Sequence, residues 1–393
     1  MNLCDFFKVT IPMAASVFLF ALPSPAQPPG FSIISSNVQS DLLRFGRNIE
    51  IRNAPPGSNT GSIGLAAPVN HALVPDSTGS TRNFMIFAPL NWLSVDTRSI
   101  NAAGSVAGSV SSFSATRGFI SDWTGRMTLF DAPNSSFTVS MGINTRGDVS
   151  GYFFDSGSWE HGFVRRQNGE MVVIDVPNSL NTTIFGINDF GDVTGFAEGH
   201  GFIRYHDGRV VVFDPPHSLL SNAVSINDGG DVTGTFVGDT AFPGTHAFAR
   251  SGADGSIIVF DPPGGASTGA FSINKGGDVT GYFLSGGTNI KGFIRYRSGT
   301  IIAFDPPNSW MTFAYGINDN GDVTGSFVDL GLPPDPPFPG KVRGYVRDRS
   351  GVFKVFDAPG ATYMASFSIN LGDDVTGILF DANSRQLGFL RRN

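Results

Sequence analysis

Short runs of alternating apolar and polar residues, bounded by Gly, Pro, Asn or Asp, cover the chain from about residue 84 to its end. Alternation over so few residues marks half-buried strands rather than helices. In Phe137–Pro177, Phe137–Asn144 reads as one strand, Asp148–Phe154 as a second, His161–Arg165 as a third and Glu170–Asp175 as a fourth. Asn-x-x-Gly joins the first two: Asn caps a turn through its side chain, and Gly takes the positive-φ position. Asn168-Gly169 joins the last two and reads as a two-residue hairpin. Folding the chain at such turns sets Phe119 opposite Phe130, Phe163 opposite Ile174 and Phe202 opposite Phe213, cross-strand pairs that stabilise a sheet.

This pattern repeats. An Ile-Asn-x-x-Gly-Asp-Val-Thr-Gly segment has its Asn at Asn101, Asn144, Asn188, Asn227, Asn274, Asn318 and Asn370. A Gly-Phe step follows, centred on Phe119, Phe163, Phe202, Phe248, Phe293, Tyr345 and Phe389. A Phe-Asp-x-Pro strand ends each repeat except the last, which stops at Arg392-Asn393. An orphan copy of that strand, Phe84-Met-Ile-Phe-Ala-Pro89, precedes the first repeat. The chain therefore reads as permuted, with its first strand completing its last repeat, as a closing ring requires. The period of about 44 residues suits a four-stranded propeller blade. The expected fold is all-β: a seven-bladed β-propeller of four-stranded blades spanning residues 84–393, closed by residues 84–89 in the last blade.

The residue two before each repeat's Ile is large at Met141, Phe185, Val224, Phe271, Tyr315 and Phe367, while its neighbours on the other face are small. That contrast lets adjacent sheets interdigitate. The first repeat departs from it, with Arg98 at the large position and Asp96 two residues earlier.

Composition narrows the class. The net charge of −7 disfavours a nucleic-acid partner, which needs a basic stripe. Met1–Ala26 reads as a secretory signal peptide: Lys8 at the positive end, the apolar run Val9–Leu22, and small residues at Ser24-Pro25-Ala26. The one cysteine, Cys4, would leave with it, so the expected mature protein has no disulfide and no cysteine-based metal site. Residues 27–83 do not match the repeat and read as an N-terminal extension or linker. No second apolar stretch reaches membrane length. These features predict a secreted or periplasmic monomer with no membrane span after signal removal.

The repeat resembles that of the HAF-repeat family of extracellular bacterial proteins, which pairs an Ile-Asn-x-x-Gly-x-Val-x-Gly segment with His-Ala-Phe. His246-Ala247-Phe248 matches outright; His161-Gly162-Phe163 and His200-Gly201-Phe202 match with Gly for Ala. The resemblance covers about residues 84–393 and implies an extracellular repeat protein, with no catalytic residues to carry over. The chain departs from the family in ending its fourth strand with Phe-Asp-Pro-Pro where Leu-Gly is typical. It also carries Arg117, Lys291, Arg343 and Leu387 at the His position of other repeats.

Candidate chemistry is sparse, and no catalytic signature is present. Asn318-Asp319-Asn320-Gly321-Asp322 resembles the start of a calcium loop, but no later bidentate acid follows, so it reads as a turn and no cofactor or metal is expected. His161, His200 and His246 share one repeat position, which symmetry keeps too far apart to hold zinc. A site belongs where the symmetry fails. The strand-two-to-three loops vary most, from Ala197–His200 to Val328–Arg343 with its Pro-rich Leu332–Gly340, and they share a face with the Asp-x-Pro connections. Trp92, Trp159, Glu160, His217 and Trp310 fall on that face, and Asp96 and Arg98 break the repeat. Exposed aromatics there can stack on sugar rings or peptide. The expected function is a binding or scaffold module for a glycan or protein. The alternative is a hydrolase or lyase acting on a polysaccharide, which rests on fold analogy alone. Finally, Asp recurs in Phe-Asp-x-Pro from Asp131 to Asp357, and Arg recurs two residues past the Gly-Phe aromatic from Arg165 to Arg391. Their joint losses, at Ala88 and Ser121, predict that each Asp pairs with the Arg of the following blade.

Overall fold

The computed structural model describes residues 84–88, 91–287, 289–331 and 340–393, all within a compact unit spanning Gly64–Asn393. The expected signal peptide, the extension over residues 27–83 and residues 332–339 of the Pro-rich loop lie outside the described residues. Among the described residues every regular element is a strand, and no helix is long and apolar enough to cross a membrane.

The strands pair antiparallel in fours. In one quartet Phe137–Ile143 pairs with Val149–Phe154, which pairs with Glu160–Arg165, which pairs with Met171–Ile174. The same order recurs in quartets whose first strands are Ser94–Ile100, Phe137–Ile143, Thr183–Ile187, Ser218–Ile226, Gly265–Ile273, Ser309–Ile317 and Ala361–Ile369. The quartet that begins with Ala361–Ile369 takes its fourth strand from the other end of the sequence. Phe84–Phe87 pairs with Gln386–Arg391, setting Phe84 opposite Arg391 and Phe87 opposite Gly388. Each first strand lies against the first strands of the quartets before and after it, and Ser94–Ile100 lies against Ala361–Ile369.

Every residue of the repeat motif has a physical reason. A β-bulge interrupts each first strand, and the extra residue is Arg98, Met141, Phe185, Val224, Phe271, Tyr315 or Phe367, the large position of the sequence pattern. A bulge re-aims one side chain and turns a carbonyl out of the ladder. The motif's last Gly faces that carbonyl: a Cβ on Gly151 would sit 2.0 Å from the Val139 oxygen, and one on Gly281 only 1.9 Å from the Gly269 oxygen. The Val before it is fully buried in each quartet. The Thr hydroxyl bonds across the sheet, as when Thr233 donates to the carbonyl of Phe248 at 2.7 Å. The Asp ties the turn between strands one and two to the hairpin between strands three and four: Asp148 Oδ1 accepts the Gln167 N–H at 3.0 Å, and Asp322 Oδ1 that of Arg349 at 3.0 Å.

The Asn does most. Its Oδ1 accepts two backbone N–H groups of its own turn, from Arg146 and Asp148 at 3.1 and 2.9 Å in the case of Asn144. Its Nδ2 donates to the backbone carbonyl of the next quartet's Asn. These bonds run Asn101 to Asn144 at 2.9 Å, Asn144 to Asn188 at 3.2 Å, Asn188 to Asn227 at 3.1 Å and Asn227 to Asn274 at 3.0 Å. They continue from Asn274 to Asn318 at 3.1 Å and Asn318 to Asn370 at 3.0 Å, and return from Asn370 to Asn101 at 3.3 Å.

Two expectations need correction. The three-to-four hairpins are one residue wider than a two-residue turn. Arg166 N–H donates to the Glu170 carbonyl at 2.8 Å, with Gly169 at φ 94°. A shift of one residue turns every side chain to the other face, so Gly118 rather than Phe119 stands opposite Phe130, and Gly162 opposite Ile174. The missing Cβ is what admits the ring, since one built on Gly118 would meet Phe130 at 2.5 Å. The strand-four Phe instead packs on the Gly-Phe aromatic of the next quartet: Phe130 on Phe163, Phe260 on Phe293 and Phe87 on Phe119, with ring centroids 6.0 Å apart in each pair.

The charges follow the same shift. Asp131 pairs with Arg117 at 2.7 Å, Asp175 with His161 at 2.7 Å, Asp305 with Lys291 at 3.1 Å and Asp357 with Arg343 at 3.0 Å. The partner is thus the basic residue two before the Gly-Phe aromatic of the same quartet, and not the Arg of the next one. That Arg does reach back one quartet, but to the Phe beside the Asp. Arg165 lies over the Phe130 ring, Arg250 over Phe213 and Arg391 over Phe356, at 5.0, 5.0 and 4.6 Å. A guanidinium prefers an aromatic face in a buried seam, where an ion pair would have to be desolvated on both sides.

Asn318→Ala removes a turn cap and the link to Asn370 together and strands buried backbone groups. Urea unfolding is expected to show a loss of at least ~2 kcal/mol, against less than ~0.5 kcal/mol for Asn320→Ala in the exposed part of the same turn.

Candidate functional site

The first strands lie side by side, and their two ends differ. At the turn end, the motif's Ile and Asn residues line a cavity of about 230 Å³. At its mouth Lys275 Nζ lies 3.1 Å from Asp228 and 3.6 Å from Asp189, and the hydrogen bond and charge of Asp228 hold its ammonium above the usual range. The same carboxylates cap neighbouring backbone: Asp189 accepts the Thr145 N–H at 2.9 Å, and Asp228 that of Asp189 at 2.9 Å. This knot joins successive turns, and the sequence pattern gave no sign of it because its residues occupy the variable position after the Asn.

Toward the loop end, the bulge residues and their neighbours form two walls. One wall is aromatic. Phe271 stacks on Tyr282 at 4.8 Å, Tyr282 meets Phe313 edge-on at 5.1 Å, and Tyr315 packs on Phe367 at 5.5 Å. These side chains are half-buried. Burial pushes the hydroxyls of Tyr282 and Tyr315 well above their ordinary range and that of Tyr363 up to about 12.

The other wall is polar. Arg98 donates to Asp96 Oδ2 through Nε at 2.9 Å and through a second guanidinium nitrogen at 2.7 Å. That leaves Asp96 Oδ1 buried with no hydrogen-bond donor. The Arg98 guanidinium also lies 4.8 Å over the Phe367 ring. Its charge acts on Tyr315 and on Tyr152, so it is felt in the two quartets behind it and in the one ahead. The Tyr152 hydroxyl is pushed up to about 12, first by burial and then by the charge of Glu160. Burial likewise raises the Glu160 carboxyl, which accepts a hydrogen bond from the Thr183 hydroxyl.

Of the sequence candidates, Asp96, Arg98 and Glu160 all act by charge on Tyr152. The others lie apart. Trp159 is exposed on the rim beside Glu160. His217 is exposed and bonds Asp239 at 3.2 Å. Trp92 packs beside a core cluster and lines a separate cavity of about 150 Å³ with Gln386 and Arg385. Trp310 is partly buried against Met311, Val328 and Val342. The aromatic wall beyond the bulge positions was missed. Its signal was the aromatic that follows the motif's last Gly, at Tyr152 and Tyr282.

This geometry sits on a fold shared with solved structures. An oligogalacturonate lyase from Vibrio parahaemolyticus superposes with a TM-score of 0.56 at 11% identity, covering 84% of this chain and 98% of that one. A catalytically inactive virginiamycin B lyase from Staphylococcus aureus with quinupristin superposes with a TM-score of 0.52 at 14% identity, covering 79% and 99%. The fold is propeller-like. No protein-family model and no curated protein matches the chain. At such low identity the likeness concerns the fold alone.

The histidines offer a titration. His161 Nδ1 lies 2.7 Å from Asp175, and Nε2 lies 3.6 Å from Asp155. Burial pulls its pKa down, but the hydrogen bonds and charges of the two carboxylates outweigh burial, and the net direction is upward. The folded state thus favours the imidazolium. The pairing stabilises fully below the unfolded value of about 6.5, and that contribution is lost as pH rises through the folded value. NMR titration is expected to place the His161 midpoint above that of a free histidine, and Asp175→Asn should lower it.

Proposed function

We propose that residues 84–393 form a seven-bladed β-propeller closed by Phe84–Phe87, exported by way of Met1–Ala26, and working as a binding module whose loop-side axial mouth takes a glycan. The Asn-to-Asn relay that returns to Asn101 and the pairing of Phe84–Phe87 with Gln386–Arg391 support the closed ring. One observation carries the binding site. Among bulge positions otherwise occupied by large apolar or aromatic side chains, the first quartet places the Asp96–Arg98 pair against an aromatic cluster, with Arg98 over the Phe367 ring. Sugar rings present apolar faces that stack on aromatics and edges of hydroxyls that pair with planar carboxylate and guanidinium groups. Asp96 Oδ1, buried without a donor, is an acceptor for such a hydroxyl. The HAF-repeat resemblance agrees with an extracellular setting.

The polysaccharide-acting lyase or hydrolase stays as the second reading because burial raises the Glu160 carboxyl, whose charge acts on the Tyr152 hydroxyl. A raised carboxyl and a nearby hydroxyl are groups from which general acid–base chemistry is built.

A glycan array followed by calorimetry on its hits tests both readings. The paired change Asp96→Leu with Arg98→Met removes both charges at once, so no lone charge is stranded. Binding is expected to weaken by at least about tenfold with the melting midpoint retained. Unchanged binding would refute the axial site, and release of shortened or unsaturated products from a hit would favour the enzyme.

A further inference from the structure

Independently of the axial site, we propose that the loop-side rim of the second to fourth quartets, those beginning Phe137, Thr183 and Ser218, docks a basic amphipathic polypeptide segment. Large apolar side chains are exposed there in succession: Trp159 at 51%, Leu180 at 65%, Leu219 at 66% and Leu220 at 42%, with Val237 and Phe242 beyond. They form one strip, and backbone contacts join its parts. The Thr182 N–H donates to the Glu160 carbonyl at 3.1 Å, which sets Leu180 beside Trp159. The Leu180 N–H donates to the Glu198 carboxylate at 2.8 Å, and Leu220 lies over Gly199. Leu220 stands opposite Val237, and Phe242 stacks on His246 at 4.0 Å. An apolar strip of this extent rimmed by polar groups is the usual form of an interaction surface.

Charge names the partner. The segments Phe154–His161, Ile174–Thr183, Ala197–His200, Phe213–Ser221, Val237–His246 and Phe260–Ser267, which build this rim, contain no Lys or Arg. Besides Glu160 they carry Asp155, Asp175, Glu198, Asp214, Asp239 and Asp261. Elsewhere on the same face the equivalent acids meet permanent cations: Asp131 meets Arg117, Asp305 meets Lys291, Asp329 meets Arg343 and Asp381 meets Arg385. On the apolar strip the corresponding partners are histidines, His161, His200, His217 and His246. On this arc exposed apolar side chains therefore lie together with carboxylates that meet no Lys or Arg. A segment that covers the first and neutralises the second must carry Leu-like and Lys- or Arg-like residues together.

The test uses the full chain and a fluorescein-labelled peptide of Leu and Lys in a helical amphipathic pattern, read by anisotropy. Two control peptides replace Lys by Glu or Leu by Gln. The Leu/Lys peptide is expected to bind at least about tenfold more tightly than either control, and less tightly as salt rises from about 50 to about 200 mM. Leu180→Ser with Leu219→Ser changes two exposed residues and should weaken it about tenfold. Val352→Ser, exposed elsewhere, and the Asp96→Leu/Arg98→Met pair should leave it unchanged. Equal binding of either control peptide, indifference to Leu180→Ser/Leu219→Ser, or loss in the axial pair would overturn the proposal, the last result without harm to the axial site.

Discussion

The Asn side chain of the repeat is the interaction on which the rest of the structure depends. It closes its own turn through two accepted N–H groups and ties that turn to the next quartet through one donated N–H. A carboxylate could accept but not donate, and a leucine could do neither, so the residue type follows from the double task. The relay also fixes how close the first strands come. The bulges, the Gly residues facing their carbonyls and the Ser side chains that accept N–H groups across the seam, such as Ser99 from Ile143 at 3.3 Å, all serve that close approach.

A frame so constrained by symmetry has few places to vary. Where a residue recurs in every quartet, folding explains it. What remains is the bulge position, whose side chain meets those of neighbouring quartets, and the loops at the opposite end from the turns. The first quartet uses the bulge position for Arg98, and the loops of the second to fourth quartets leave apolar side chains and carboxylates uncovered. Both proposed binding surfaces thus fall in places the relay does not use.

Much of this was legible in the sequence. The repeat period, the four strands and their ends to within about a residue, and the partnership of Phe84–Phe87 with the last strands followed from landmark spacing alone. The hairpin register did not, because Asn168-Gly169 suits both a two-residue turn and a wider one with Gly at positive φ. From that single slip came the mistaken Phe119–Phe130 pairing, and it hid the same-quartet partner of each Asp, whereas the expected Asp–Arg pairing rested on the joint losses at Ala88 and Ser121. Asp96 and Arg98 stood out as breaks in a pattern, and Glu160 by its place in a loop. Tyr152 and Tyr282 did not, since which face of strand two meets the axis depends on the bulge, and no residue type announces a bulge. The link between Asn residues was also invisible, because a side chain that caps its own turn already has an explanation.

The proposed ring of quartets is held shut by Phe84–Phe87, whose Phe84 and Phe87 are fully buried. Comparing the melting of two truncations tests it most directly: one lacks residues 27–83, and the other extends the deletion through Pro89. The account predicts that the first melts like the whole chain, while the second unfolds or aggregates, since it strips two buried Phe worth ~3–5 kcal/mol each and leaves the edge of Gln386–Arg391 unpaired. Equal melting of the two truncations would contradict it.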